Sequence, residues 1–234
     1  MRTPTLALLL ACALSAPAAA APITSLYSTG LGAPGAADPH YALVSAPGGY
    51  NTAFVVAGNS KFPFDAYWAA NGYTPAPGAP ASGWIAPTAD VNTTHPDGYY
   101  TYRTTFSLSG FNPATAAITG FLAADNAADV YLNGALVAHV YAAGGYTFTP
   151  TSFSQQAFSI NKGFGAGQNT LDFVVYNEVQ ATGNPTGLRV AMSGTADKLA
   201  LIDPIATPEP ATLAVFGFGL VGLTGYLRRR RTVG

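Results

Sequence analysis

Three histidines, His40, His95 and His139, are the imidazoles this chain could bring to a reaction. A nucleophilic triad needs one of them beside a Ser or Cys and a carboxylate. No G-x-S-x-G elbow occurs, and neither His40 nor His139 has an acidic residue directly adjacent. His95-Pro96-Asp97-Gly98 reads as a turn entering a strand, because Pro and Asp-Gly are turn residues; the competing reading is a metal or acid–base site. H-E-x-x-H, EF-hand and phosphate-loop patterns are absent. Asp125, Asn126 and Asp129 place two carboxylates and an amide within five residues, an oxygen set suited to a hard cation such as Ca²⁺. The reading preferred here is that Asp125 and Asn126 cap a strand-to-strand corner by bonding nearby backbone N–H groups. No cofactor is therefore expected, and no catalytic residue is assigned.

Binding chemistry has more material. Sugar rings stack their apolar C–H faces on exposed aromatic side chains, and Trp68, Trp84, Tyr73, Tyr99 and Tyr131 could each serve. Trp84 is the first choice, since Ser82-Gly83-Trp84 lies in a Gly/Pro-rich stretch where packing is hard to arrange. A tryptophan is also a large apolar area that folding tends to hide. Full enclosure of Trp84 would therefore replace the binding reading with a purely structural one. Arg103 and Arg189 fall on strand faces and either pair with Asp129 or Asp172 or touch a ligand. Sites in such folds commonly lie on end loops, here 59–98 and 141–151.

The elements that must carry these residues are strands. Short β-rich runs separated by Gly, Pro and Asn dominate the body, and helical periodicity is hard to find there. Tyr41 to Ser45 and Thr52 to Ala57 are early candidates, and 59–91 is irregular, with Pro75, Pro77 and Pro80 stiffening it. From Tyr99 the pattern is regular. Tyr100, Tyr102, Thr104, Phe106 and Leu108 share one face, and Thr101, Arg103, Thr105 and Ser107 the other. Ala117 to Ala124, Ala128 to Leu132 and Leu136 to Tyr141 follow, the last two joined by Asn133-Gly134, a strong hairpin signal. Ser152 to Ile160, Leu171 to Tyr176 and a strand through Leu188, Val190 and Met192 complete the set. Eight to ten strands in one domain predict an all-β, two-sheet sandwich, with Phe106, Leu122, Val130, Leu132, Phe173 and Val175 between the sheets.

The order of these pieces resembles the galactose-binding-like jelly roll of many carbohydrate-binding modules. The residues carrying the resemblance are Y-x-Y-R-T-T-F-x-L (100–108), G-F-L-A-A-D-N-A-A-D-V-Y-L-N-G (120–134) and F-S-I…G-Q-N-T-L-D-F-V-V-Y-N…T-G-L-R-V (158–190). It implies a single jelly-roll-like β-sandwich over 21–207. Nothing before Tyr99 carries a comparable motif.

Both ends carry targeting signals. Pro208-Glu209-Pro210 precedes an uncharged run of 17 residues, Ala211 to Leu227, and then Arg228, Arg229, Arg230 and Arg231. At about 1.5 Å of rise per residue such a helix covers about 25 Å, enough to cross a slightly thinned bilayer core. Four arginines resist transfer, so they hold the cytoplasmic side. A plain C-terminal anchor would need no Pro-Glu-Pro. This arrangement resembles the PEP-CTERM sorting signal of Gram-negative bacteria, covering 208–234. The resemblance implies that Pro208, Glu209 and Pro210 are a recognition motif for an exosortase, a membrane sorting enzyme that removes the helix as the protein goes to the surface. At the other end, Arg2, an apolar core from Leu6 to Leu14 and Ala18-Ala19-Ala20 form a secretory signal peptide, 1–20. A rival is a lipobox, Leu9-Leu10-Ala11-Cys12, with acylation of Cys12. Cys12 is the chain's sole cysteine, so the processed body has no disulfide and no thiolate chemistry.

Charge excludes one partner class. Of eleven acidic and ten basic side chains, removing Glu209, Arg2 and the four tail arginines leaves ten against five, a body near −5. A basic patch for nucleic acid is absent. The expectation is a non-enzymatic protein, exported across the inner membrane, transiently anchored, then released to the cell surface or matrix. Its body would bind an exopolysaccharide or another envelope component. The alternative is a purely structural matrix protein without a specific ligand; a secreted hydrolase ranks below both.

Overall fold

The computed structural model describes residues 20–57, 81–90, 92–140, 154–179 and 183–199. The expectations for the signal peptide up to its last residue, Ala20, and for Cys12, for Trp68 and Tyr73, and for the whole of 208–234 lie outside these residues.

The described chain is all-β, built from two antiparallel sheets, with 3₁₀ turns at Pro47–Gly49 and Pro113–Thr115 and no α-helix among the described residues. In chain order the strands are β1 (Ala20–Pro22), β2 (Ala42–Ser45), β3 (Phe54–Val55), β4 (Ile85–Ala86), β5 (Gly98–Ser107) and β6 (Ala117–Asp125). There follow β7 (Ala127–Leu132), β8 (Ala135–Val140), β9 (Ser154–Ile160), β10 (Gln168–Asn177) and β11 (Gly187–Asp197). One sheet runs β3-β4-β11-β6-β9, with β1 also pairing β11; the other runs β2-β5-β10-β7-β8.

The longest pairing joins β5 and β10 from Ser107 opposite Gln168 to Gly98 opposite Asn177. Both strands alternate strictly, because one of their faces must meet the opposite sheet while the other meets water. Tyr100, Tyr102, Thr104 and Phe106 point inward on β5, and Leu171, Phe173 and Val175 on β10. The six expected core residues, Phe106, Leu122, Val130, Leu132, Phe173 and Val175, are all between 0% and 2% exposed. They belong to one continuous apolar cluster with Ile85, Ile118, Leu188 and Met192.

The Asn133-Gly134 turn forms as its sequence predicts. Asn133 has φ 51° and Gly134 φ 81°, the paired left-handed conformations of a tight hairpin loop. The Asn133 side chain also holds the turn down: its Nδ2 donates to Gly163 O and Asn169 Oδ1, and its Oδ1 accepts from Thr170 N.

Two features of the fold depart from the periodic pattern. The stretch expected to be irregular contains β4, whose Ile85 faces both Val55 of β3 and Leu188 of β11. Two residues are too few for a period to show. The N-terminal segment then lines the same edge of β11. β1 pairs at Thr195 to Asp197, Thr29 N donates to Val190 O, and Val190 N donates to Thr29 Oγ1. With neighbours on both edges and cover on both faces, 187–192 are all buried.

Candidate functional site

The outer face of the five-stranded sheet follows from the same alternation that builds the core. Where even residues of β5 point inward, Tyr99, Thr101, Arg103 and Thr105 point outward. They stand opposite Tyr176, Val174, Asp172 and Thr170 of β10. On the other edge of β10, Tyr176, Val174 and Asp172 stand opposite Ala127, Asp129 and Tyr131 of β7. β8 extends two of these rows, with His139 opposite Asp129 and Leu136 opposite Tyr131.

Three polar or aromatic pairs result. Tyr99, 62% exposed, lies against Tyr176 with ring centroids 5.1 Å apart and planes tilted by 43°. Arg103 grips Asp172 bidentately, Nε to Oδ1 at 2.6 Å and Nη2 to Oδ2 at 2.7 Å. Hydrogen bonding to that carboxylate, then its charge, raises the guanidinium pKa above the ordinary value. His139 Nδ1 lies 2.7 Å from Asp129 Oδ1. On this face Asp172 therefore matches Arg103, and Asp129 lies against His139.

Of the residues singled out in the sequence, Tyr99, Arg103 and Tyr131 are brought to one surface. Trp84 is not, and the expectation that it offers an open ring is corrected. Its side chain is only 7% exposed, packed with Ala86, Ala123, Val56 and Phe121. The flanking glycine permits close backbone approach. Gly83 N donates to Thr29 O at 2.8 Å, and a Cβ on Gly30 would meet Gly83 Cα at 2.4 Å. Arg189 also turns inward, its Nε and Nη2 reaching Ser82 Oγ and Ser82 O.

Asp125, Asn126 and Asp129 do not converge. Asp125 and Asn126 are buried at the corner where the chain leaves β6 for β7, while Asp129 points outward to His139. Among the described residues no group of three or more His, Cys, Asp and Glu could hold a metal ion. The corner is pinned by one backbone–backbone bond and two side chain–backbone bonds. Asn126 N donates to Tyr176 O, Asn126 Oδ1 accepts from Glu178 N, and Thr186 Oγ1 donates to Asp125 O. Asn126 thus does what a capping residue does.

His95 sits at the same end of the sandwich, 1% exposed. Its ring lies edge-on to Tyr50 at 5.3 Å and to Tyr100 at 6.5 Å, with Nε2 3.2 Å from Thr88 Oγ1. Burial disfavours the imidazolium and lowers its pKa from 6.5 to about 4. Its backbone carbonyl accepts from Asn177 and Asn184. It is a packed, neutral histidine that fastens the approach to β5.

Two participants escaped the sequence reading, Tyr176 and the Asp129–His139 pair. A two-residue hairpin loop alone would set Asp129 opposite Ala138. An irregularity between Val130 and Tyr131 shifts the register by one and substitutes His139. That single step is invisible to residue spacing.

Comparison with known proteins gives one family match. The PEP-CTERM protein-sorting motif matches residues 206–231. No curated protein matches the chain. Among solved structures, a selenomethionine-labelled β-glucosidase from Kluyveromyces marxianus aligns with 71% of this chain at 11% identity and a TM-score of 0.28. The chain spans about a fifth of that structure's length, 20%.

Proposed function

From the premise that residues 206–231 carry a PEP-CTERM sorting motif, the signal by which an exosortase sorts an exported protein toward the cell surface, we propose that the body is a non-catalytic binder of polysaccharide. The surface that supports this reading is the outer face of β5, β10 and β7. A sugar site needs an open ring with polar groups converging beside it. Tyr99 supplies the ring, backed by Tyr176, and the Arg103–Asp172 pair supplies donors and acceptors four residues along the strands, about 13 Å away. The exposure of Tyr99 is the observation that carries the proposal, replacing the enclosed Trp84. The protein would be exported across the inner membrane of a Gram-negative cell, transiently anchored, and then delivered to a surface or matrix rich in exopolysaccharide.

The burial of Trp84 favours a second reading, in which the body is a structural matrix component with no specific ligand. Glycan-array binding by the purified protein, compared with Tyr99→Ala, separates the two. Loss of most glycan signal on Tyr99→Ala, with an unchanged unfolding midpoint, supports the binder. Absence of any glycan signal from the wild type replaces it with the structural reading.

A further inference from the structure

We infer that the Asp197 carboxylate receives the positively charged N-terminus that signal-peptide removal creates at Ala21, so that processing fastens β1 to β11. This goes beyond the binding reading above and rests instead on the reading of 1–20 as a secretory signal peptide. The pairing of the N-terminal segment with β11 sets the geometry. Ala20, Ala21 and Pro22 stand opposite Asp197, Ala196 and Thr195. The register continues to Ile23, whose N donates to Gly194 O at 2.9 Å. Further back along the same edge, Met192 N donates to Ser28 Oγ and Val190 O accepts from Thr29 N. The even positions of β11 therefore bond toward the N-terminal segment.

Antiparallel partners alternate between hydrogen-bonded and non-hydrogen-bonded pairs. Ile23 with Gly194 is of the first kind, and so, two residues on, is Ala21 with Ala196. Pro22 with Thr195 and Ala20 with Asp197 are then of the second kind. Two observations agree with that assignment. Pro22, which has no N–H to give, falls on a position that needs none. Asp197 turns its backbone the other way, its N donating to Thr115 Oγ1 and its O accepting from Asn112 N.

Cutting after Ala20 leaves the Ala21 nitrogen as an ammonium. In the ladder that nitrogen faces Ala196 O, and its charge appears where Ala20 stood, directly opposite Asp197. Side chains of a non-hydrogen-bonded pair stand close, with Cα atoms about 4.5 Å apart, so the carboxylate is within ion-pairing reach of the new charge. Ala196 is buried, which sends the Asp197 side chain to the outer side of the strand. Among the described residues nothing pairs with that carboxylate. Cutting one residue later would make Pro22 the first residue, with its nitrogen turned away from β11, and the pair with Asp197 would be lost. The chain runs on from β11 through Lys198 and Leu199 toward the motif at 206–231, so the pair ties the new N-terminus to the strand that leads to the sorting signal.

The test is an NMR titration of the α-amino group in the protein purified after export, its N-terminus identified by intact mass, in wild type and in Asp197→Asn. The wild-type amine is expected to titrate about 0.2–0.7 pH unit higher than that of the variant, the displacement an exposed ion pair gives. Equal midpoints overturn the inference. If Asp197→Asn does not fold, the wild type alone decides: about 1 M NaCl should screen the pair and lower the amine's midpoint, and a midpoint that salt does not move overturns the inference. A mature N-terminus at Pro22, or an acylated Cys12, overturns it through the signal-peptide reading and leaves glycan binding untouched.

Discussion

His95 gives a sharp energetic prediction, because a histidine that folding keeps neutral makes stability depend on pH. Its ring is 1% exposed and its pKa falls from 6.5 to about 4 through burial. In the unfolded chain the imidazole takes up a proton as pH falls through 6.5; in the folded chain it resists until about 4. The unfolded state therefore binds more protons throughout that window, and folding stability drops as pH falls across it. The contribution is fully present above pH 7 and is gone below pH 4. The whole displacement is worth about 3 kcal/mol, of which about 2 kcal/mol is lost between pH 7 and pH 5. Urea unfolding followed by tryptophan fluorescence at these two pH values measures it. His95→Gln isolates the share of the dependence that belongs to this ring. The variant is expected to be weaker at pH 7, having lost the Thr88 contact, but to change far less than wild type between pH 7 and pH 5. Equal losses in wild type and variant would refute the argument that burial of this ring sets the dependence.

Four further outcomes follow from the packing and the termini. Leu132→Ala, at a fully enclosed position, is expected to cost about 2–5 kcal/mol by lost burial and a residual cavity, read from the urea midpoint. Gly120→Ala should cost about 1–3 kcal/mol by overpacking, since its Cβ would meet the Phe158 ring at 2.5 Å and Met192 Cβ at 2.8 Å. Arg103→Ala should change stability by less than about 1 kcal/mol, because the Arg103–Asp172 pair is a surface one, while weakening glycan binding clearly. Intact-mass measurement of the surface form should show a start at Ala21 and loss of Arg228 to Arg231; retention of those arginines would leave a plain anchor, and a lipid on Cys12 would favour the lipoprotein reading.

How much of this was legible depended on the length of each signal. β5 and β10 alternate over ten residues each, so their inward and outward faces, and with them Tyr99 and Arg103, could be assigned from period 2 alone. The Asn133-Gly134 hairpin was equally clear, because few dipeptides tolerate two left-handed conformations in succession. What failed was local inference about exposure. Gly83 looked like loop freedom around Trp84, yet its use is to let the segment through Thr29 and Gly30 lie against it, while Ala86, Ala123, Val56 and Phe121 pack the indole. β1 and β4 hold three and two residues, and their pairing is set by the free edge of β11. The Asp129–His139 contact needs a register shift, and cross-strand partners ten residues apart do not announce themselves in a sequence.

The central claim is that the outer face of the five-stranded sheet is the binding surface. Backbone amide chemical-shift mapping during titration with an oligosaccharide selected on the glycan array tests it most directly. The account predicts that the shifted amides cluster on Tyr99, Thr101 and Arg103 of β5, Asp172, Val174 and Tyr176 of β10, and Asp129 and Tyr131 of β7. Shifts confined to the end of the sandwich around His95, Asn126 and Asn184, or around Trp84, with this face silent, would contradict it.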